Sequence, residues 1–135
     1  MKKSTLVNGP GRLYAAKLLF QWRQVAGRRQ YKRRVCEERV ILMRARNPKE
    51  ALTKAKRYGA SECHTDHRKD RRIFFEFIGV VDLDDMITDF NECPAEVWYE
   101  LREMVRPMER KQRLLVQERH MRAFEIPSGR GRMRV

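Results

Sequence analysis

At 135 residues the chain has the length of one domain, enough to bury a core, and its formal net charge is +13. Charged side chains make up 36% of it, and no apolar run nears the roughly 18 residues of a membrane span, which excludes a transmembrane helix. The charge is uneven: residues 1–34 hold ten Lys/Arg and no acid, residues 35–100 hold eleven against fourteen acids, and residues 101–135 hold ten against four.

Met1-Lys2-Lys3 is basic like the start of a signal peptide, but Asn8-Gly9-Pro10-Gly11-Arg12 stands where an apolar h-region belongs, and a cytoplasmic protein is expected. Residues 1–11 read as a flexible basic arm. From 13 to 22, Tyr14, Ala16, Leu18, Phe20 and Trp22 alternate with Leu13, Ala15, Lys17, Leu19 and Gln21, the period of a half-buried strand. Gly27-Arg28-Arg29-Gln30 is a turn candidate. Residues 35–45 resume the strand pattern, with Val40-Ile41-Leu42-Met43 apolar on both faces. The two segments predict a hairpin with a long basic tip at 28–34.

Asn47-Pro48-Lys49-Glu50 supplies a helix N-cap, a proline at N1 and an acid at N3. Ala51, Leu52, Ala55 and Tyr58 then share a face, Glu50 and Lys54 form an i,i+4 pair, and Gly59 suits a left-handed cap. Residues 61–72 predict a short strand and a turn at Arg68-Lys69-Asp70-Arg71. Residues 73–83 predict a strand with Ile73, Phe75, Phe77, Gly79, Val81 and Leu83 on one face, Gly79 marking a bulge or a close approach. An acidic connection follows at 82–92. Pro94 predicts the start of a second helix, with Val97, Trp98, Leu101, Met104 and Val105 as its apolar stripe, ended or kinked by Pro107. A third, weakly amphipathic helix is predicted from Met108 to about His120.

These elements predict an α+β fold: a small, mainly antiparallel sheet of three to four strands with two to three helices on one face. Residues 12–120 form its single domain and residues 121–135 a basic disordered tail.

Several short segments in this order resemble a family of small bacterial proteins, uncharacterised and known only as a domain of unknown function. They are Tyr14-Ala15-Ala16-Lys17-Leu18-Leu19-Phe20, Glu37-Glu38-Arg39-Val40, the helix at 51–55, Gly79-Val80-Val81-Asp82-Leu83, Pro94-x-Glu96-Val97-Trp98-Tyr99-Glu100 and Arg106-Pro107-Met108-Glu109-Arg110. The resemblance spans residues 13–112. It implies one conserved kind of module and no activity.

Cys63-His64-Thr65-Asp66-His67 carries metal-ligand residue types, but no second ligand pair completes a zinc site, and a polar loop is the favoured reading. Cys36, Cys63 and Cys93 are odd in number, with no C-x-x-C, and predict free, mostly buried thiols. Asp82, Asp84, Asp85 and Asp89 match no nuclease spacing and read as a solvated connection. Glu37 and Glu38 read as strand partners for an arginine rather than as catalytic acids. Trp98 is expected in the core and Tyr99 at a partly exposed interaction surface.

The remaining candidate is the basic tip. Arg28, Arg29, Lys32, Arg33 and Arg34 suit phosphates, and Tyr31 suits stacking on a base. With no nucleophile–base or carboxylate constellation, no enzyme, no metal and no cofactor are expected. The expectation is a non-catalytic binding module that engages an anionic partner, most simply nucleic acid, through this tip and the basic termini. The alternative is an immunity- or antitoxin-like module that binds an acidic protein surface. No membrane partner is expected.

Overall fold

The structure, a computed structural model, describes residues 10–86 and 93–125. The arm expected at 1–11 and the tail expected at 121–135 lie mostly outside them, as does Asp89. The chain divides after Tyr99 into two compact units.

In the first unit, strands β1 (Arg12–Ala26), β2 (Arg29–Gln30), β3 (Val35–Ala45), β4 (His64–His67) and β5 (Arg72–Asp85) and the helix α1 (Pro48–Ser61) make an α+β fold. All strand pairs are antiparallel. β1 is central, with β5 on one side and β3, extended by the two-residue β2, on the other; β4 pairs with the far edge of β5. The alternation of β1 explains this position. Its even residues Tyr14, Ala16, Leu18 and Phe20 are buried toward α1, and its odd residues Leu13 and Ala15 are buried on the other face.

α1 starts as its sequence dictates. Asn47 Oδ1 accepts from the Glu50 N–H at 2.8 Å, and Pro48 occupies the first turn. A cap of this kind stabilises a helix by about 1 kcal/mol. Ala51, Ala55 and Gly59, four residues apart, form the buried face. Such small residues let the helix axis come close to Phe20, Phe75 and Phe77. Gly59 does not end the helix, which runs on to Ser61. It is glycine because a Cβ there would sit 2.5 Å from the Phe77 ring.

β5 departs from simple alternation. Its register against β1 shifts twice, skipping Val81 between the Lys17 and Leu18 pairs and Ile78 between the Leu19 and Phe20 pairs. Each bulge turns the following residues over. Hence Phe77, Val80 and Leu83 pack toward α1, whereas Val81, expected on that face, is exposed.

The helix expected from Pro94 is not formed: residues 95–104 have neither helix nor strand hydrogen bonding. Trp98 instead packs beside Leu13, Ala15, Met86 and Leu42 on the sheet face opposite α1. The demand of that apolar patch outweighs the helical spacing. In the second unit the expected long helix is broken into a 3-10 turn Met108–Arg110, a single α turn α2 (Lys111–Leu114), and 3-10 turns Glu118–His120 and Arg122–Phe124. Arg106 takes φ 48° just before Pro107. All described side chains of residues 100–125 are exposed, Leu101 by 89%. Among the described residues no helix is long and apolar enough to cross a membrane.

Gly59→Ala gains helix propensity of about 1 kcal/mol, yet the new methyl must displace the Phe77 ring, a form of overpacking that costs about 1–3 kcal/mol. The expected outcome is a lower denaturant midpoint with an unchanged m-value. A variant as stable as the parent would show that the ring moves freely.

Candidate functional site

β1 ends at Ala26, and Gly27, at φ 62°, takes the first central position of a tight two-residue turn. This is where a type II′ hairpin turn calls for glycine. Arg28 follows at the apex. The ladder resumes for Ala26↔Arg29 and Val25↔Gln30, then breaks. It starts again at Trp22↔Val35. Across this gap β1 has Arg23 and Gln24, whereas the returning chain has Tyr31, Lys32, Arg33 and Arg34. The surplus is looped out, and residues 27–34 are all exposed.

The expected turn residues therefore divide: Gly27 and Arg28 turn, while Arg29 and Gln30 are strand. Arg29 Cζ lies 5.1 Å from the Tyr31 ring. Arg34 Nη1 donates to Gln21 Oε1 at 3.1 Å. Gln21 Nε2 donates to Glu76 Oε1 at 3.0 Å, and Arg23 holds the same carboxylate through two bonds of 2.8 and 3.0 Å. These bonds fix one flank of the tip to the sheet. Among the described residues no carboxylate pairs with Arg28, Arg29, Lys32, Arg33 or Arg34. By contrast, Arg12 pairs with Asp85, Lys17 with Glu38, Arg39 with Glu37 and Glu62, and Arg46 with Glu50.

The fold adds a second basic turn that local sequence reading took only as a turn. Val25, opposite Gln30 on one side, is opposite Arg72 on the other. The β4–β5 turn, Arg68-Lys69-Asp70-Arg71, closed by an Arg68 N–H to Arg71 carbonyl bond of 2.8 Å, thus lies at the same end of the sheet. Two strand spacings, roughly 10 Å, separate the two ladders. That is about one Debye length at 0.1–0.15 M salt, so the two turns act as one field. Arg68 is paired with Asp66 at 2.9 Å, and Arg71 Nη1 reaches Gln24 Oε1 at 3.4 Å. Half-buried Phe74 lies on the sheet face opposite α1 beside this end, with Arg23 and Arg72 at 4.3 and 5.6 Å from its ring. The signal in the sequence was the run at 68–72; its meaning depended on which strand carried it beside residue 25.

The other candidates separate. His64 and His67 are three residues apart on β4 and face opposite sides of the sheet, His64 opposite Phe75 and His67 opposite Arg72. His64 packs its ring on Phe75 and Trp22, at 5.2 and 5.8 Å. Cys63 Sγ donates to the Gly59 carbonyl at 3.7 Å and accepts from the Phe77 N–H at 3.3 Å. Cys36, Cys63 and Cys93 are free but exposed, contrary to the expected burial, because strand edges and turns carry them. Arg39 lies 4.7 Å over the Phe20 ring, donates to Glu37 at 2.7 Å, to Tyr58 at 2.9 Å and to Glu62 at 2.6 Å. Burial pulls its pKa down, and these bonds more than offset that. Its role is to hold α1 to β3. Trp98 is half-buried and Tyr99 is 64% exposed. With Asp84, Asp85, Met86, Glu96 and Val97 they line a cleft of about 180 Å³ at the other end of β1.

A family model described as Domain of unknown function (DUF4288) matches residues 13–98. The match covers α1 and every strand except the first residue of β1, Arg12, and ends at Trp98, before Arg106-Pro107-Met108-Glu109-Arg110. No curated protein and no solved structure matches the chain.

The Arg23 bond, more than the opposing burial, holds the Glu76 carboxyl below the ordinary 4.5 of a glutamate. The stability this contributes is present above pH 4.5 and is lost as pH falls through the lower folded value. Glu76→Gln should therefore flatten the acid side of a stability–pH curve. An acid limb as steep as the parent's would place the titrating group elsewhere.

Proposed function

The chain belongs to this family of unknown function, and we propose that it is a non-catalytic binding module whose basic sheet end engages an anionic polymer, most simply nucleic acid. The observation that carries the reading is the convergence of two basic turns, 28–34 and 68–72, on the end of β1, with no ion pair from the first to a carboxylate among the described residues. A single solvated charge run is common and means little. Two runs, distant in sequence and brought within about one Debye length, make a field that attracts phosphates. Exposed Tyr31 offers a ring beside the cations, which suits an unstacked base. The reading places the protein in the cytoplasm, where nucleic acid is met.

A second reading, a protein partner with an acidic surface, draws on the exposed apolar side chains of residues 100–125. The second reading predicts one tight protein partner and indifference to nucleic acid.

Fluorescence anisotropy against labelled single- and double-stranded RNA and DNA, titrated with salt, tests the proposal. One variant neutralises Arg28, Arg29, Lys32, Arg33 and Arg34; another neutralises Arg68, Lys69 and Arg72. Binding by the parent at about 0.15 M salt is expected. Each variant is expected to lose about tenfold or more in affinity, with a shallower dependence on log salt, by about 0.7–0.9 per phosphate contact removed. A parent that does not bind, or variants that bind like it, would remove the nucleic-acid reading. A single tight protein partner in a pull-down would then favour the second.

A further inference from the structure

β3 is eleven residues long and, among the described residues, pairs only through β1. Its outer edge can be read from two hydrogen bonds. The Leu13 carbonyl accepts from the Met86 N–H at 2.8 Å, so Leu13 turns its backbone groups toward the β5 side. Its partner across the other ladder, Arg44, therefore turns its own N–H and C=O away from β1. Lys54 Nζ meets that carbonyl from outside, at 2.8 Å. The β1–β3 register is unbroken, so Leu42, Val40, Glu38 and Cys36 also present their backbone groups outward. A long edge of this kind is a template for another strand unless charge, proline or a bulge blocks it. β3 has neither proline nor bulge, and among the described residues the one charge set on its outward backbone is Lys54 at the Arg44 carbonyl, which a second strand must displace.

Its side chains are self-complementary in one register. When two copies of β3 run antiparallel about Ile41, Val40 faces Leu42 of the second copy and Glu38 faces Arg44 of the second copy, each twice by symmetry. All four lie on the sheet face opposite α1, and Val40 is 44% exposed. Neighbouring registers fail. Pairing about Val40 sets Glu38 against Leu42, and pairing about Leu42 sets Val40 against Arg44. Pairing about Arg39 or Glu38 sets that charge against itself, which is destabilising. We propose that β3 is the interface of a homodimer in which two sheets join into one through this edge, centred on Ile41. The proposal is independent of what the basic end binds.

Sedimentation velocity of the full chain from about 1 to 100 µM tests it, with far-UV circular dichroism as the check on folding. Val40→Pro removes an outward N–H and leaves the β1 ladder intact. Glu38→Arg sets like charges opposite each other. The expected result is a parent of twice the chain mass, with the dimer dissociation constant raised about tenfold or more in each variant. The double exchange Glu38→Arg with Arg44→Glu should recover the parent's value. A parent monomeric throughout, variants that dimerise like it, or a double exchange that recovers nothing would each overturn the proposal.

Discussion

The first unit depends on β1 being hydrogen-bonded along both edges and packed on both faces. β3 and β5 pair with nearly all of it, α1 lies over its even residues, and Trp98 covers the start of its odd ones. Ala15 and Ala16, both fully buried, are small because the strand is crowded from above and below. A central strand of this kind leaves no freedom of register, since a one-residue slip would exchange its two faces. The position of the basic end follows: both basic turns are extensions of strands that β1 aligns.

Features whose cause is local could be read from the sequence. The Asn47-Pro48 cap is one, because its donors and acceptors lie within four residues of each other. The faces of β1 are another, because uninterrupted alternation needs no partner to be interpreted. The direction of Val81 was not legible: two bulges in β5 reverse the alternation, and a bulge is fixed by the neighbouring strand. Residues 94–105 show the same limit from another side. Their helical spacing is real, but the apolar patch formed by Leu13, Ala15 and Met86, brought together from distant positions, takes Trp98. Gly59 reads locally as a terminator because its own segment does not reveal the Phe77 ring packed against it.

The candidate site was half legible for the same reason. The tip at 28–34 is a contiguous run and could be named directly. Its companion at 68–72 gains significance only from the Val25↔Arg72 pairing. The other end of the sheet mixes charges: Asp84, Asp85 and Glu96 line the cleft, with Arg12 paired to Asp85 and Arg44 close by. On the sheet, Lys17, Arg23 and Arg39 each pair with an acid, whereas α1 carries Lys49, Lys54, Lys56 and Arg57 against Glu50 alone, so the helix adds to the basic field.

The double bulge of β5 has a consequence for sequence change. Between the Tyr14 and Val25 pairs β5 carries two residues more than β1, Ile78 and Val81, neither opposite a residue of that strand. Losing either would leave all remaining pairs aligned and all remaining side chains on the faces they now occupy. In β1 or β3 a single deletion would turn everything beyond it inside out. β5 is thus the strand of this sheet that can shorten by a residue during divergence and keep its core.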